Sequence, residues 1–496
     1  DPGTLWHTVV GEQILQTGEI PRRDSFSFTH ADDEWLAQQW MGECAMALVH
    51  RAAGLDGLLL AACATIAALF AFVVHRAARG GLSGPLTLML VLFVAAASSY
   101  HFMPRPHLAT LLFMTVGSAL LCDIEAGRIS KWWLLLIPPA IALWSNIHGG
   151  ALGGLASLLI VALGWLLRPK ALRRPMEDSA KPMSAILVGA TVGLSIAAIL
   201  INPFGVSLPR VWISLMSSDL LPRVIVEHGP TQIFSPSGMM ILVLGIAYLA
   251  ALARARKWGI RIVWLLPLIW FALALSRVRH GPIFAFVTAI VLVDMLPHLI
   301  IKSGQTAVVS SQFATSTSGI FARLKSAVPA VALVAFCLLL KAEAAPVPVF
   351  GAKWTQLDSA YWPVSATDAL IRHAAREPRP TRVFNDMRYG GYLLYRAAAA
   401  RIYIDDRCEL YRDAGIRRYL ELLKDPRLIE GEAACHDIDT ALVRSASPMA
   451  KYLKNTARWT MLHEDSTASL YVRNPEIARC DPADEAHQTS SISPTP

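Results

Sequence analysis

Residues 132–167 read WWLLLIPPAIALWSNIHGGALGGLASLLIVALGWLL and contain two apolar stretches with a short polar turn between them. Each stretch, 132–147 and 150–167, approaches the length that a helix needs to cross the hydrocarbon core of a bilayer, about 30 Å. The turn that joins them contains Asn146 and His148 and ends in two glycines. This pattern predicts two consecutive membrane-spanning helices.

The same apolar pattern recurs along two thirds of the chain and predicts an α-helical polytopic membrane protein with about ten transmembrane helices. The composition agrees: 54% of residues are hydrophobic and 17% charged, whereas soluble domains carry about 25% charged residues. The composition therefore argues against an entirely soluble enzyme. The ten predicted spans are 54–75, 84–100, 106–122, 132–147, 150–167, 183–201, 237–253, 260–276, 281–301 and 326–341.

Basic residues in the loops predict the orientation of these spans. The loops form two alternating sets, one on each side of the membrane. One set of five loops contains 16 Lys and Arg residues, whereas the loops of the opposite set contain only five such residues. Since Lys and Arg accumulate in cytoplasmic loops, the first set is predicted to be cytoplasmic. The net charge of +8 thus reports membrane orientation and is no sign of nucleic-acid binding. The five outer arginines are Arg105, Arg210, Arg223, Arg277 and Arg279.

Four segments are predicted from these patterns. Residues 1–53 are predicted to be a first outer loop with interfacial helices near Leu5 to Leu15 and Trp35 to Leu48, followed by the transmembrane domain at 54–341. Residues 342–480 are predicted to be a soluble α/β domain on the outer side, and 481–496 a disordered tail. Because an outward-facing segment begins at Asp1, we expect a preceding transmembrane helix in the intact protein, giving eleven spans.

The outer α/β domain is predicted in some detail. Strands are expected around Arg382, Arg401, Ala441 and Ser469, and helices near 365–376, 411–424 and 447–456. The pair Gly390 and Gly391 is typical of a turn. Cys408, Cys435 and Cys480 are predicted to face an oxidising compartment, which would allow one disulfide among them. The sequence does not determine which pair forms it.

Unusual polar residues collect on the predicted outer face, which indicates a hydrated site, because ionisable groups at membrane depth are costly unless they pair or line a cavity. Arginines suit phosphate recognition, and carboxylates can accept a proton from a hydroxyl. Histidines can bind phosphate or transfer protons. The candidate residues are Asp1, His7, Asp24, Glu34, Arg105, His107, Asn146, His148, Glu227, His228, Arg277, Arg279 and His280.

Each candidate also has a purely structural interpretation. The arginines could reach lipid phosphates or cap helix ends, and His148 could be a turn histidine with satisfied hydrogen bonds. Asn202, before Pro203, is expected to end a helix. Asp294, toward the cytoplasmic end of its span, is expected to be paired locally.

Several short motifs resemble the polytopic GT-C superfamily of glycosyltransferases, which includes protein mannosyltransferases, the lipid A aminoarabinose transferase and oligosaccharyltransferase catalytic subunits. The resemblance is strongest to a large set of bacterial membrane proteins of that type and covers nearly the whole chain. The motifs are Asp1 to His7, Ile20 to Ser27, Glu34-Trp35, Arg105 to His107, Asn146 to Gly149, Asn202 to Gly205, Arg277 to His280, Phe384 to Tyr392 and Ile404 to Arg407.

The resemblance implies a polyprenyl-phosphate-linked sugar as donor, transfer on the periplasmic side and a catalytic acid at Asp1. Relatives carry a second acid two residues later, where this chain has Gly3. Asp24, Asp33 or Glu34 could take that place. No cofactor is predicted, and a divalent metal stays open.

The leading hypothesis is a multi-pass glycosyltransferase of the bacterial inner (cytoplasmic) membrane, with Asp1 as general base. The acceptor would be a glycan, lipid or protein, and no nucleic acid is expected. Rival hypotheses are a transporter or flippase of lipid-linked saccharide, which would need polar residues through the bilayer midplane, and a non-catalytic assembly subunit.

Overall fold

The computed structural model describes residues 1–31, 33–167, 183–300 and 357–474, together with residues 331, 335 and 355. The chain divides into two compact units. The helical unit comprises Gln38–Ala345, and the sheet unit comprises Asp1–Ala37 and Pro346–Pro496. The first 37 residues therefore join the C-terminal domain, which differs from the predicted separate segment 1–53.

Helices dominate the helical unit and coincide with the first nine predicted spans, while the tenth, 326–341, lies outside the described residues apart from two positions. The helices are α2 (Trp40–Arg79), α3 (Gly84–Ser98), α4 (His107–Glu125), α5 (Ile137–Ile147), α6 (Ala151–Leu167), α7 (Ala185–Ala198), α8 (Ser207–Ser217), α9 (Leu221–Val224), α10 (Pro236–Ala255), α11 (Leu266–Ser276) and α12 (Gly281–Ile300). α1 (Pro2–Thr17) belongs to the sheet unit.

Five helical segments of the described chain are long and apolar enough to cross a membrane by themselves: Trp40–Arg79, Gly84–His101, His107–Glu125, Pro236–Ala255 and Val278–Leu299. Shorter apolar helices occupy Ala151–Leu167, Ala185–Ala198 and Ile262–Ser276. The structure therefore supports a multi-pass membrane protein, and the count of ten spans stays a prediction.

The core of the helical unit is α12, which packs against α2, α3, α4, α10 and α11. Its side chains from Phe284 to Val293 are buried on every face. A helix that is apolar all round is typical of such an interior position, because no face needs to meet water.

The second predicted interfacial helix, Trp35 to Leu48, differs from the structure. A helix begins at Trp40, five residues later than predicted, and is followed across a break at Gly54 by the first predicted span; both parts are included in α2. A kink divides α2 at Gly54, whose φ of 62° and ψ of −155° lie outside the helical region. Glycine permits this positive φ at little steric cost, so the chain can change direction there between the two helical parts of α2.

Asp294 of α12 is paired, as predicted, but its partners are distant in sequence. Its carboxylate accepts from Arg261 and Arg128 at 2.5 Å each and from the Trp264 indole at 2.7 Å. Arg128 also contacts Asp123 of α4. This buried network holds together helix ends on the predicted cytoplasmic side.

The sheet unit contains a five-stranded sheet with the order β2-β1-β3-β5-β4, in which β2, β1 and β3 are parallel and β5 is antiparallel to both β3 and β4. The strands are β1 (Thr381–Asn385), β2 (Ala400–Ile402), β3 (Thr440–Arg444), β4 (Trp459–Glu464) and β5 (Ala468–Arg473). The helices after α12 are α13 (Val364–Ala374), α14 (Met387–Arg396), α15 (Cys408–Lys424), α16 (Ile429–Cys435) and α17 (Pro448–Asn455).

Four strands and three helices of this unit coincide with the predictions, whereas β4, α14 and α16 were not expected. Gly390 and Gly391 lie inside α14, not in a turn. A Cβ at Gly390 would stand 2.5 Å from the Ile404 carbonyl oxygen, and a Cβ at Gly391 would stand 2.3 Å from the Pro2 carbonyl oxygen. The glycines are thus compatible with the helix because they allow close backbone packing.

The N-terminal segment is built into the sheet unit, and α1 coincides with the first predicted interfacial helix. α1 packs on α14 and buries Leu5, Trp6, Val10 and Ile14. Residues 26–28 then extend the sheet beside β2, since Phe28 N donates to Ile402 O at 3.1 Å and Ile402 N donates to Phe26 O at 3.3 Å. The predicted tail 481–496 lies outside the described residues.

Candidate functional site

Polar side chains of the helical unit converge where four turns meet, which we name the turn cluster. The turns are the one between α3 and α4, the one between α5 and α6, the segment after α9, and the one between α11 and α12. The turn cluster comprises Tyr100, His101, Arg105, His107, His148, Glu227, His228 and Arg279.

Direct contacts hold the turns of this cluster together. The Tyr100 hydroxyl donates to the Val278 carbonyl at 2.5 Å. His107 Nε2 lies 2.8 Å from the carbonyl of His101, and the rings of His107 and His148 are 6.4 Å apart. Residues from four of the predicted outer-face motifs therefore belong to the turn cluster.

The protonation state of His148 follows from its hydrogen bonds. The Trp144 indole donates to Thr110 Oγ1 at 2.9 Å, and Thr110 in turn lies 2.8 Å from His148 Nδ1. Gly150 N also donates to Nδ1, at 3.0 Å. Because the indole and the amide can only donate, Nδ1 must accept, and the ring proton resides on Nε2.

His148 is neutral at physiological pH. Burial lowers the pKa of His148 to about 3, and the nearby His107, Arg279 and Arg105 act in the same direction. His148 can therefore offer an Nε2 hydrogen without carrying a charge.

Arg279 and His228 form the second functional feature of the turn cluster. Arg279 Nη1 lies 3.1 Å from His228 Nε2, and since arginine only donates, His228 keeps its proton on Nδ1. Burial, followed by Arg279 and Arg277, lowers the pKa of His228 to about 3. Nδ1 is buried with no hydrogen-bond partner in the described chain. A buried N–H group without an acceptor costs free energy, so binding of a ligand that supplies an acceptor is favoured.

Arg105 and Glu227 complete the turn cluster. Their charged groups are 3.5 Å apart, and both side chains are partly exposed. At that distance the pair is weak, so an anion could compete with Glu227 for Arg105.

Three predicted outer-face residues have structural partners instead. The amide of Asn146 accepts from the Trp40 indole at 2.8 Å and donates to the carbonyls of Ala142 and Ile201. Arg277 donates to the Met216 carbonyl at 2.6 Å, and His280 Nδ1 lies 3.2 Å from the Leu273 carbonyl. Asn146 in particular joins helix ends, and its role as a ligand stays a prediction.

Asn202 ends α7 as predicted. Its side-chain oxygen accepts from Phe204 N at 2.7 Å, and its amide donates to Ile199 O and Gly205 O.

Asp24, a predicted substrate ligand and alternative acid, is instead buried in the sheet unit. Arg407 Nη1 donates to Asp24 at 2.7 Å, and Arg407 also binds Asp405 at 2.8 Å; none of the three side chains is solvent-accessible. Ser27 donates to Asp24 through its hydroxyl and its amide. Burial opposes ionisation of Asp24, but Arg407 and Ser27 outweigh it and lower its pKa. The carboxylate is thus a structural anion.

The remaining predicted residues of the sheet unit differ in exposure. His7 is buried in α1 against the Trp6 ring. Glu34 is exposed and pairs through its backbone with Arg23. Asp1 accepts from Thr4 N at 2.9 Å and from the Thr4 hydroxyl at 2.7 Å, so it is the N-cap of α1.

Sequence reasoning missed His101, Tyr100 and Arg407. His101 and Tyr100 lie within six residues of Arg105, so their proximity to that motif was an available signal. Arg407 was noted only as part of a motif, and its partner Asp24 is 383 residues away, a pairing that no local pattern indicates.

The described residues contain no group of three or more His, Cys, Asp or Glu that could hold a metal ion.

Comparison with known proteins identifies the fold. ArnT from Cupriavidus metallidurans, solved with undecaprenyl phosphate, aligns over 97% of this chain and 95% of its own, with 11% identity and a TM-score of 0.48. The oligosaccharyltransferase of Archaeoglobus fulgidus, solved with a tethered acceptor peptide, aligns over 95% of this chain and 70% of its own, with 12% identity and a TM-score of 0.51.

The chain has the GT-C fold. No family model matches the sequence, and no curated protein matches it either. At 12% identity the likeness concerns architecture alone. In this GT-C fold the turn cluster is the candidate site of the helical unit.

Proposed function

We propose that this protein is a membrane glycosyltransferase that transfers a sugar from a polyprenyl-phosphate donor to an acceptor hydroxyl. One observation carries the proposal: in a GT-C fold, Arg279 stands beside a buried neutral histidine whose Nδ1 hydrogen has no acceptor. A phosphate oxygen would supply that acceptor, and the guanidinium would supply the countercharge.

The turn cluster suits a lipid phosphate better than a neutral ligand. Arg279 and Arg105 are both close enough to His148 to depress its pKa, so two guanidiniums act on one small region. Guanidiniums bind phosphate oxygens in pairs and remain charged at any physiological pH. The Nε2 hydrogen of His148 adds a neutral donor.

The proposed reaction is a displacement at the anomeric carbon of the donor. The acceptor oxygen forms a bond to that carbon while its proton passes to the Asp1 carboxylate. The bond between the anomeric carbon and the phosphate oxygen breaks, and its electron pair leaves with the lipid phosphate. Arg105 and Arg279 stabilise the charge that develops on the leaving phosphate.

The proposal places the chemistry on the periplasmic side of a bacterial inner membrane. Two features support it: the excess of Lys and Arg on the opposite loops, and the disulfide-bonded state of Cys435 in the sheet unit, since disulfides persist in oxidising compartments. The acceptor would be a glycan, lipid or protein.

Asp1→Asn tests the proposed base without removing the cap of α1, because asparagine is as good an N-cap as aspartate. We expect sugar transfer from a polyprenyl-phosphate donor to fall about 10²–10⁴-fold, with an unchanged unfolding temperature. Transfer at the parental rate would exclude Asp1 as the base.

Arg279→Gln tests the phosphate site. We expect a raised KM for the lipid-linked donor and a lower kcat, because the guanidinium contacts both the donor and the leaving group. Arg210→Gln is the matched control, since Arg210 is an exposed arginine of α8 outside the turn cluster. Equal kinetics for the two variants would contradict the proposal.

A non-catalytic assembly subunit is the second candidate, and the N-cap of α1 favours it, because that contact gives Asp1 a structural role without catalysis. If the parent transfers no sugar from any lipid-linked donor while it remains folded, this second function is the better account.

A further inference from the structure

A cleft of about 390 Å³ opens in the sheet unit, and the residues that line it include none of those assigned to catalysis. Its walls come from the N-terminal segment beside β2 and from β1 and β2 themselves. Among the residues that line it are Ser25, Ser27, Phe28, Arg379, Arg382 and Arg401. The size is within the range of small-ligand pockets, about 300–1,000 Å³.

Two of these arginines are neighbours across the sheet. Arg382 of β1 is in register with Arg401 of β2, and both are partly exposed while the residues on either side of them along the strands are buried. Their side chains therefore project on the same face. Like charges at directly paired positions repel each other. An anion bound between the two guanidiniums would reduce this repulsion.

Within the described residues, acidic side chains balance only part of this charge. Arg379 pairs with Asp439 at 2.7 Å. Arg382 donates to the His436 carbonyl at 2.7 Å and lies 3.8 Å from Asp437. Arg401 forms no ion pair or side-chain hydrogen bond among the residues that the structure describes.

Asp24 also lines the cleft, but it does not neutralise these cations. Its carboxylate is committed to the buried Arg407 at 2.7 Å and to Ser27. Ser25 contributes a hydroxyl whose oxygen lies 3.4 Å from the Gln13 amide. The cleft therefore offers guanidinium and hydroxyl donors together with the aromatic ring of Phe28.

We propose that this cleft binds an anionic saccharide, with a phosphate or carboxylate group held by Arg401 and Arg382 and the sugar ring against Phe28. Guanidiniums match the planar geometry of carboxylates and the oxygens of phosphates. The assignment of this ligand as the acceptor rests on the proposed glycosyl transfer, whereas anion binding itself does not.

Calorimetric titration of the purified full chain, at low ionic strength and without donor lipid, tests the site. The probes are glucose 1-phosphate, glucuronate and neutral glucose. We expect one or both anions to bind, glucose to bind at least tenfold more weakly, and Arg401→Gln to lower anion affinity at least tenfold. Stronger binding of the phosphate or of the carboxylate probe identifies which group the cleft takes.

Two controls make the result specific. Arg417→Gln removes an exposed arginine of α15 outside the cleft and is expected to bind as the parent does. Arg279→Gln removes a cation of the turn cluster and is expected to keep anion binding in the cleft. Anion binding that is lost in Arg279→Gln but retained in Arg401→Gln would overturn the proposal.

Thermal unfolding provides a second readout, since a ligand that binds only the folded state raises the unfolding temperature. The better-binding anion should stabilise the parent and Arg401→Lys, which keeps the charge, more than Arg401→Gln. Equal stabilisation of all three, or of none, would exclude the cleft. A protein that binds the anion yet transfers no sugar would contradict only the proposed function.

Discussion

Individual histidines of the turn cluster are neutral because burial and neighbouring guanidiniums oppose their protonation. His148 and His228 each have a pKa lowered to about 3. At the pH of most compartments both rings therefore act as uncharged hydrogen-bond donors, each through the nitrogen that the network leaves protonated.

This depression makes stability depend on pH. The unfolded chain binds a proton at His148 near pH 6.5, whereas the folded chain does so only near pH 3. Stability from His148 is thus fully present above pH 6.5 and is lost as the pH falls toward 3. His148→Asn keeps an acceptor for Thr110 and Gly150 but cannot be protonated.

Between pH 7 and pH 5 we expect the unfolding temperature of the parent to fall further than that of His148→Asn. The difference between the two decreases is expected to be about 2 °C or more. Thermal unfolding of the purified proteins at several pH values measures this difference. Parallel curves for the two proteins would show that His148 is not the titrating group.

At the scale of elements, α14 shows how a packing requirement can override helix propensity. Glycine in a helix interior costs about 0.5–1 kcal/mol relative to alanine, yet α14 contains two in succession. The close approaches of Ile404 O and Pro2 O leave no room for a Cβ.

Gly391→Ala is therefore expected to destabilise the protein by about 1–3 kcal/mol, because the added methyl would overlap a backbone oxygen. The matched control is Gly431→Ala in α16, where nothing lies within 4 Å of an added Cβ; there we expect a gain of about 0.5–1 kcal/mol. Chemical unfolding measures both. A stabilising Gly391→Ala would contradict the packing argument.

At the scale of the whole molecule, the predicted orientation rests on loop charges. α10 has 20 residues and spans about 30 Å as a helix, which matches the hydrocarbon core of a bilayer. Phe234 precedes it with 93% of its surface exposed, and Arg256 follows it on the predicted cytoplasmic side.

We expect Phe234→Cys to react with a membrane-impermeant maleimide on the periplasmic side of the inner membrane, and Arg256→Cys only after that membrane is permeabilised. The parent, treated in parallel, measures labelling of the native cysteines. Reaction of both variants before permeabilisation would contradict the proposed topology.

Much of the architecture was predictable from sequence because it depends on local composition. Apolar length located helices at nine of the ten predicted spans, and strand-like runs located β1, β2, β3 and β5. β4 was missed because its side chains are mostly exposed, so no buried face marks the strand. α14 was missed because its two glycines are typical of turns.

The sequence alone determined that this chain is a helical membrane protein with an α/β domain, and it predicted one polar face, because hydropathy and loop charge act residue by residue. Only the tertiary structure decided the partners of each polar group. Asp24 became a buried structural anion through Arg407, Asn146 a link between helix ends, and His228 a donor beside Arg279. Such roles depend on short-range hydrogen bonds and desolvation between distant segments, which no local pattern contains.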